Sequence, residues 1–448
     1  MVSEGRRVLV RLGGESFGFN FRATLREHRA MMRSPLFALL LSLSLLGGAC
    51  GNGDEDPAGS TPVDQNTAET PSTTEAPAET TSTTTAPAET TTTTVAPLPE
   101  LVTLDLGAFA VGATTVVVDD GVRDRPLTVE VWFPLDPATA VDKEAHAYSF
   151  VTGDTYVSAH AVSADPAEAA AGPFPLVVYS HGSGGLRYIQ SDYTETIASH
   201  GYVVVAPDHT GNTAVEQALG IDVDVEQITL DRPLDVIAVI DAMVAGATPE
   251  TAPLAGIIDP ESIAVAGHSV GGYTTYAVAS GVTINGVTVA PDDRVDALIT
   301  FAPAIGDGTN GRLTNADLAL IEQPSLVIAG TADESTPIDP NVETVWAATN
   351  ASPHYRVDLV DAAHQSFTDV CDYQEDVASL PDTTEVVAEL IDSYAQAGCL
   401  PEQMPHERAK ALTNTFSVVF LNSVLRGGEM ITAETNAIPD DVVFAAKS

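Results

Sequence analysis

The stretch Ile263-Ala-Val-Ala-Gly-His-Ser-Val-Gly-Gly272 decides the fold of this chain. Its first four residues are apolar and predict a short buried strand, and Tyr273 to Ser280 predicts a helix. Between them lies Gly-x-Ser-x-Gly, and the order strand, tight turn, helix is what a nucleophile elbow requires. Side chains two residues before and two residues after the serine would clash in such a turn, hence Gly267 and Gly271. The pattern predicts that Ser269 is a nucleophile at the top of a sheet; the alternative is a glycine-rich turn with an idle serine.

The composition excludes several classes of partner. The chain of 448 residues has a formal net charge of -43, whereas a nucleic-acid partner requires a basic face. The same charge argues against electrostatic docking on anionic membranes, and we expect it to serve solubility in a salty setting. No cluster of His, Cys and Asp at ligand spacing occurs, and no phosphate-cradling glycine loop follows the first strand. We therefore expect no metal ion and no cofactor.

The first 50 residues are predicted to be a leader. A start at Met31 or Met32 explains the patternless arginine-containing segment before them. An apolar run, Leu36 to Leu46, then precedes small residues, which is typical of a signal peptide and too short to span a bilayer. The pair that ends at Cys50 resembles a bacterial lipobox, in which the cysteine is lipidated, but Gly47 stands where a larger aliphatic residue is preferred. We expect export, either as a lipoprotein anchored at Cys50 or by plain secretion.

Residues 51–97 are predicted to be a disordered tether. They repeat Thr, Pro, Glu and Ala and lack apolar residues, so no core can offset the entropy lost on ordering. Such a spacer suits a lipid anchor at one end and an enzyme at the other. From residue 98 the composition becomes globular, and residues 98–448 are predicted to form one catalytic domain. Contact with a membrane is expected only through the N-terminal lipid anchor.

The globular part predicts an α/β fold. Two segments alternate at period two and indicate paired antiparallel strands, and Val- and Ile-rich strands then alternate with helices or loops. Buried strands alternating with helices imply a mostly parallel sheet covered on both faces, and Ala161 to Gly172 is predicted to be a loop. Antiparallel strands followed by parallel ones form the α/β-hydrolase arrangement. The predicted strands are Thr114–Asp119, Leu127–Phe133, Leu176–Ser180, Tyr202–Pro207, Ile263–Ala266, Ala297–Phe301, Ser325–Gly330 and Tyr355–Val360, and the predicted helices include Asp192–Ser199, Pro233–Val244 and Glu407–Leu425.

A serine nucleophile needs a base, and the base needs an orienting carboxylate. In this fold the chain order is Ser, then Asp or Glu, then His. Asp333 and His364 each follow a predicted strand and would lie at the carboxyl edge of the sheet, where ligands bind. The alternatives are a turn aspartate and a surface histidine. The rival acids are Glu334 and Asp339, and the rival bases are His354, which precedes its strand, and His406.

The oxyanion hole needs two amides aimed at the developing negative charge. The amide of Val270 directly follows the nucleophile, and that of Ser183 lies in the glycine-rich loop after the strand that ends at Ser180. The alternative is a glycine turn without a role. His181 and His268 flank the two turns and are expected to pack or to form local hydrogen bonds.

The chain resembles the platelet-activating-factor acetylhydrolase branch of the α/β-hydrolases from about residue 108 to 370, with dienelactone-hydrolase-like and polyester hydrolases nearby. The resemblance implies a calcium-independent serine esterase that removes short acyl groups, with Ser269, Asp333 and His364 at the triad positions. Val270 replaces a bulkier residue, so the acyl pocket could differ. The motifs that carry the resemblance are Arg123-Asp-Arg-Pro-Leu-Thr-Val-Glu-Val-Trp-Phe-Pro134, Tyr179-Ser-His-Gly-Ser-Gly-Gly185, Ser199-His-Gly-Tyr202, Ala206-Pro-Asp-His-Thr-Gly211, Arg232-Pro-Leu-Asp235, Gly267-His-Ser-Val-Gly-Gly272 and Ala363-His-Gln-Ser-Phe367.

The two remaining cysteines, Cys371 and Cys399, are predicted to form a disulfide because the chain is expected to be exported. Closing this loop would stabilise the fold by about 3 kcal/mol and would fix the segment that carries His364.

Three functions are compatible with these patterns. The first is an exported serine esterase acting on short-acyl lipids or other small esters. The second is a polyester or cutinase-type hydrolase, and the third is a catalytically silent surface-binding protein on a hydrolase scaffold. The complete triad and both oxyanion loops argue against the third.

Overall fold

The computed structural model describes residues 8–12, 15–19, 98–150, 155–308, 313–377 and 385–447. The chain divides into two compact units, Met1–Thr91 and Thr92–Ser448. In the first unit, β1 (Val8–Leu12) and β2 (Glu15–Phe19) form an antiparallel hairpin. The predicted signal peptide, Cys50 and the tether of residues 51–97 lie outside the described residues, so these assignments stay predictions.

A sheet of eleven strands forms the centre of the second unit. The described strands of this unit are β3 (Ala110–Asp119), β4 (Pro126–Leu135), β5 (Ala145–Ser149), β6 (Thr155–Ser163), β7 (Phe174–Ser180), β8 (Val203–Pro207), β9 (Ile258–His268), β10 (Val282–Ile284), β11 (Val287–Val289), β12 (Val295–Phe301), β13 (Ser325–Gly330), β14 (His354–Leu359) and β15 (Val442–Lys447). The spatial order of the sheet is β15-β14-β13-β12-β9-β7-β8-β4-β3-β6-β5. Strands β10 and β11 form a separate small hairpin.

Six neighbouring strands of this sheet, β14 through β8 in spatial order, run parallel. Strands β3 and β4 pair antiparallel with each other and join the sheet through β8. The predicted α/β-hydrolase fold is therefore confirmed. The helices are α1 (Pro137–Ala140), α2 (Ser191–Ser199), α3 (Ala214–Leu219), α4 (Val225–Ala245), α5 (Ala252–Ala255), α6 (Val270–Ser280), α7 (Asn315–Leu318), α8 (Ile338–Ala348), α9 (Val370–Val377), α10 (Glu385–Ala395) and α11 (His406–Arg426).

Helices cover both faces of the sheet, as predicted. Successive side chains of a strand point to opposite faces, and in β7 Val177 and Val178 belong to different hydrophobic clusters. One cluster packs the sheet against α2 and α11 and includes Phe416 of α11. The other packs it against α4 and α6 and includes Val239 of α4. The sheet is thus a buried layer, and only the ends of its strands can form a site.

Helix α4 begins well before the predicted Pro233. The predicted start at Pro233 is wrong, because the helix runs from Val225 to Ala245 and Pro233 lies inside it. A proline cannot donate to the carbonyl four residues earlier, which is that of Thr229. The hydroxyl of Tyr273 donates to that carbonyl at 3.0 Å. A tertiary hydrogen bond therefore replaces the missing helical one.

The edges of the sheet differ most from the prediction. The predicted loop from Ala161 to Gly172 is partly wrong, because β6 extends to Ser163 and pairs with β3. At the opposite edge β15 pairs antiparallel with β14. Just beyond that pairing, the amide of Val360 donates to the carbonyl of Asp441 at 2.9 Å, and Asp441 also binds Arg408 of α11. No helix in the part of the chain that the structure describes is long and apolar enough to cross a membrane.

Candidate active site

The predicted nucleophile lies in a strained turn between β9 and α6. Ser269 has φ 56° and ψ -118°, a left-handed conformation that non-glycine residues rarely adopt. Its amide donates to the carbonyl of Phe301 at 2.9 Å, which ties the turn to the neighbouring strand β12. Ser269 keeps 9% of its surface accessible. The surrounding structure therefore holds a strained backbone conformation, and such conformations are concentrated at functional sites.

The glycines of the turn are required by close approach of the backbone. A Cβ at Gly267 would lie 2.3 Å from the carbonyl oxygen of Gly271, and one at Gly271 would lie 1.8 Å from the carbonyl oxygen of Ser180. Both distances are far below van der Waals contact. The expected clash on either side of Ser269 is therefore present.

The structure brings Ser269, Asp333 and His364 together at the carboxyl edge of the sheet. The Nε2 atom of His364 lies 3.0 Å from the Oγ of Ser269, and its Nδ1 lies 2.7 Å from the Oδ2 of Asp333. Asp333 follows β13, and His364 follows β14 in a short 3₁₀ helix, His364–Phe367. All three side chains are largely buried. This is the hydrogen-bonded arrangement by which a histidine activates a serine.

The carboxylate of Asp333 is held by its own loop as well as by His364. Its Oδ1 accepts the amides of Ser335 and Thr336, each at 2.8 Å. The Oγ1 of Thr336 lies 2.8 Å from the Oδ2 of Asp333 and 3.1 Å from the Nδ1 of His364. Burial alone would raise the pKa of Asp333, but the hydrogen bonds of His364 and Thr336 bring it below its usual value. The acid is therefore ionised, and Thr336 is a site residue that the sequence did not single out.

The rival residues lie elsewhere. Glu334 and Asp339 are exposed, and each lacks the contact with His364 that Asp333 makes. His354, at the start of β14, lies against Trp346 with ring centroids 4.6 Å apart. His406 contacts Asp372 and Glu407 at the start of α11.

The two flanking histidines are neutral structural partners. His268 Nε2 lies 2.9 Å from the carbonyl oxygen of His364, and burial lowers the pKa of His268 to about 3. It therefore donates to that carbonyl and supports the loop of the base. His181 Nδ1 donates to the carbonyl of Gly182, and burial likewise holds the pKa of His181 well below its usual value.

The two predicted oxyanion amides lie in the expected loops. Val270 is the first residue of α6, whose N-terminus carries amides without helical partners. Ser183 lies in the loop after β7, and a Cβ at the preceding Gly182 would lie 3.3 Å from the Cβ of Ser269. Among the described residues, no hydrogen bond uses the amide of Ser183 or of Val270. Both are therefore available to a substrate oxygen.

A disulfide joins Cys371 of α9 to Cys399, as predicted. The segment before Cys399 lies directly against the loop of the base, because the amide of Gln365 donates to the carbonyl of Ala397 at 2.7 Å. A Cβ at Gly398 would lie 2.6 Å from the carbonyl carbon of Gln365. The disulfide therefore anchors a segment that packs on the residue after His364.

One group of side chains has metal-ligand chemistry. Within the described ranges, Asp372, His406 and Glu407 place one ligand atom each within 4.8 Å of one another. The ammonium group of Lys410 already lies 2.7 Å from the Oδ2 of Asp372 and neutralises it. The group lies outside the triad.

Comparison with known proteins agrees with this fold. Residues 145–227 match the family described as platelet-activating factor acetylhydrolase, isoform II. Chlorophyllase-1 from Arabidopsis thaliana is 31% identical over 136 residues, which are 30% of this chain and 37% of that relative. The match therefore spans little more than a third of its length. The structure of a ferulic acid esterase from Streptomyces cinnamoneus is similar with a TM-score of 0.55 and 21% identity, over 78% of this chain and 99% of that chain, which shows the fold.

The matched family range contains the Ser183 loop and ends before the three residues of the triad. The eleven-stranded sheet and the solved structure show an α/β-hydrolase fold, and residues 145–227 within it are similar to the family of platelet-activating factor acetylhydrolase, isoform II.

Proposed function

We propose that this protein is a serine carboxylic-ester hydrolase that works through an acyl-enzyme. The observation that carries the proposal is the continuous chain of hydrogen bonds from Ser269 to His364 at 3.0 Å and from His364 to Asp333 at 2.7 Å. A serine hydroxyl is a weak nucleophile at neutral pH and becomes effective when an oriented base accepts its proton.

In the first half of the reaction, the Oγ of Ser269 attacks the ester carbonyl and its proton passes to Nε2 of His364. The carbonyl oxygen becomes an oxyanion, which the amides of Ser183 and Val270 stabilise. Asp333 remains ionised and stabilises the imidazolium. When the tetrahedral intermediate collapses, His364 protonates the departing alcohol and the acyl group stays on Ser269.

In the second half, water attacks the acyl-enzyme. His364 takes one proton from the water and returns it to the Oγ of Ser269 as the carboxylic acid leaves. The net reaction consumes one ester and one water and gives one acid and one alcohol. None of these steps requires a metal ion.

We propose short-acyl lipids or other small esters as the substrate class. The match of residues 145–227 to the acetylhydrolase family supports this choice, as does the fold shared with a protein named an esterase. A polyester hydrolase and a silent binding protein are the alternatives that the following experiment distinguishes.

The test compares wild type with Ser269→Ala. Both proteins are treated with a fluorophosphonate probe and assayed on p-nitrophenyl esters of increasing acyl length, a short-acyl phospholipid and a polyester film. We expect the probe to label Ser269 alone, Ser269→Ala to be inactive, and turnover to be fastest on short acyl groups. Higher activity on the film would favour a polyester hydrolase. An unlabelled, inactive wild type would favour a binding protein.

We further propose that the protein is exported and anchored through Cys50. The lipobox-like sequence and the polar tether of residues 51–97 support this proposal. Mass spectrometry of the mature N-terminus tests it. A diacylglyceryl-modified Cys50 is expected, and an unmodified cleaved terminus in the medium would replace anchoring by plain secretion.

A further inference from the structure

A second Ser-His-Asp chain lies buried behind the oxyanion loop. The Oγ of Ser180 lies 2.8 Å from Nε2 of His209, and Nδ1 of His209 lies 2.9 Å from the Oδ2 of Asp235. The contacts reproduce those of the triad, but each of the three residues is completely inaccessible. No substrate can reach Ser180, so this chain cannot be a second catalytic centre.

The protonation of this buried chain follows from its partners. Asp235 also pairs with Arg123 and Arg125, at 2.8 and 2.9 Å, and is therefore ionised. Nδ1 of His209 must then carry the hydrogen that Asp235 accepts, and Nε2 is left to accept the hydroxyl hydrogen of Ser180. The hydrogen bonds therefore run in one direction and join the ends of β7 and β8 to α4.

Arg232 of α4 holds the loop that follows Ser180. Its guanidinium is completely buried and donates to the carbonyl oxygen of His181 at 2.6 Å and to that of Gly182 at 3.0 Å. It also donates to the Oδ1 of Asn212 through Nε at 3.0 Å and through Nη2 at 2.7 Å. One planar, permanently charged group therefore binds two successive carbonyls of the predicted oxyanion loop. The carbonyl of Gly182 also accepts from Nδ1 of His181 at 2.7 Å and from the amide of Gly185 at 3.2 Å.

The orientation of the Gly182 carbonyl determines that of the next amide. In a trans peptide the carbonyl oxygen and the following N–H point in opposite directions. Because the Gly182 carbonyl points to Arg232, the amide of Ser183 points away from Arg232. Gly182 also lies close to Ser269. A Cβ added at Gly182 would be 3.3 Å from the Cβ of Ser269. Rotation of this peptide would remove an amide from the reacting serine.

Asn212 extends the contact of Arg232 to Ser183 itself. Its Oδ1 accepts from Arg232, so its Nδ2 is the donor that contacts the Oγ of Ser183 at 3.0 Å. Its backbone carbonyl accepts the amide of Gly184 at 3.2 Å. Asn212 therefore contacts the residues on both sides of the Ser183–Gly184 peptide.

We propose that Arg232, acting with Asn212, is a positioning residue that aims the Ser183 amide at the developing oxyanion, in a frame fixed by the buried Ser180–His209–Asp235 chain. The proposal rests on the proposed esterase function. The positioned amide would stabilise the transition state rather than the bound substrate. Loss of the Arg232 contacts should therefore lower kcat and leave KM almost unchanged.

The test uses Arg232→Lys and Asn212→Ala. Lysine keeps the positive charge but cannot bind two carbonyls and an amide oxygen from one plane. We expect kcat on a short p-nitrophenyl ester to fall about 100-fold in Arg232→Lys, the loss typical of one missing oxyanion donor, and about tenfold in Asn212→Ala. KM should change less than about threefold in both, as expected when an interaction is made only in the transition state.

A trifluoromethyl ketone inhibitor gives the readout that a merely structural role would not move. It forms a hemiketal oxyanion with the serine, so its affinity should fall in parallel with kcat, while the affinity of the matching alcohol product stays constant. Arg356→Lys is the control, because Arg356 of β14 is mostly buried and ion-paired with Asp358 of the same strand and Glu343 of α8. Its kcat should equal that of wild type.

Two outcomes would overturn the proposal. One is a folded Arg232→Lys with wild-type kcat, and the other is a loss of kcat without loss of inhibitor affinity. If Arg232→Lys does not fold, as judged by its thermal transition, Asn212→Ala decides alone. Failure of the proposed function has a different signature, because wild type would then be inactive and unlabelled by the fluorophosphonate probe, or Ser269→Ala would retain the activity of wild type.

Discussion

The carboxylate of Asp333 accepts more hydrogen bonds than the orientation of His364 alone requires. Replacing it with asparagine places an NH2 group where His364 or the loop amides expect an acceptor. We expect Asp333→Asn to lower kcat by about 10⁴-fold, because the imidazole then adopts the wrong tautomer. The measurement is steady-state kinetics on a short-acyl ester, with KM changing little.

Two controls accompany this prediction. Glu334→Gln and Asp339→Asn alter exposed neighbours of Asp333 and should behave as wild type. The double variant Asp333→Asn with His364→Ala should be scarcely worse than the worse single variant, since triad members act as a unit. Additive losses, or a disabled Glu334→Gln, would show that the acid has been misplaced.

Thr336 carries a separate prediction. Its hydroxyl lies within 2.9 Å of the carbonyl oxygen of Ala302 and within 2.8 Å of Asp333. Thr336→Val keeps the shape of the side chain and removes that hydroxyl, at a cost of about 1 kcal/mol for one hydrogen bond. We expect a loss in kcat of about five- to tenfold and a thermal transition lowered by only about a few degrees, in line with that cost. A wild-type kcat would mean that the loop amides alone hold Asp333.

Which residues could be predicted depends on how far their contacts reach along the chain. Ser269 follows from a local pattern of glycines, and Asp333 and His364 follow from their positions after strands. Thr336 has an ordinary sequence context and becomes a site residue only because the loop folds back on Asp333. Arg232 belongs to the motif Arg232-Pro-Leu-Asp235, which contributes to the family resemblance. Its contact with Gly182 spans 50 positions, so no local sequence pattern indicates that contact.

At the scale of elements, Glu195 joins helix α2 to the two strands at one edge of the sheet. Its Oε1 accepts hydrogen bonds from the hydroxyls of Tyr148 in β5 and Ser158 in β6. Burial raises the pKa of Glu195 to about 7, although both hydrogen bonds act in the opposite direction. Near neutrality this carboxyl therefore changes its charge inside the protein.

The pKa of Glu195 gives a prediction for stability. The folded state binds this proton up to about pH 7, whereas the unfolded chain releases it near 4.5. Stability therefore falls as the pH rises through that window. Glu195→Gln keeps an acceptor for both hydroxyls and removes the charge. We expect its free energy of unfolding to exceed that of wild type at pH 8 and to approach it at pH 5.

Urea unfolding at the two pH values measures the effect, with the exposed Glu250→Gln as the matched control. The relevant quantity is the difference between each variant and wild type, because other groups titrate in both proteins. A difference for Glu195→Gln that does not change with pH would contradict the shifted pKa.

The disulfide between α9 and the segment at Cys399 carries another prediction. Its two cysteines are separated by 28 positions. Removing the cross-link increases the conformational entropy of the unfolded chain and so lowers the free energy of unfolding by about 3 kcal/mol. We expect the double variant Cys371→Ala, Cys399→Ala to lose that stability in urea, and kcat to fall severalfold as the Gln365–Ala397 contact loosens. A variant as stable as oxidised wild type would show that the fold does not depend on this bond.

The elements at the centre of the sheet were more predictable than those at its edges. Strands β7 and β13 and the Ile263–Ala266 part of β9 are mostly apolar, as expected for strands with both faces covered. The edge strands β5 and β15 have one partner each and mixed burial, so their sequences lack the same signal. Helix α4 was predicted too short because the compensation of Pro233 by Tyr273 is a tertiary contact.

At the scale of the whole molecule, the sheet places next to each other strands that are far apart in the sequence. The fold class was predictable from alternating strands and helices, but the spatial order was not, since it depends on pairings between distant segments. The oxyanion loop follows β7, the nucleophile β9, the acid β13 and the base β14. The candidate site therefore requires these four strands in register, together with β12, which lies between β9 and β13.

The pairing of β15 with β14 has a consequence for the order of assembly. The strand that precedes the base acquires its outer partner only when residues 442–447 have been made, and the Val360–Asp441 and Arg408–Asp441 contacts form with it. During synthesis, Ser269 is therefore made before the strand that precedes His364 has its outer partner.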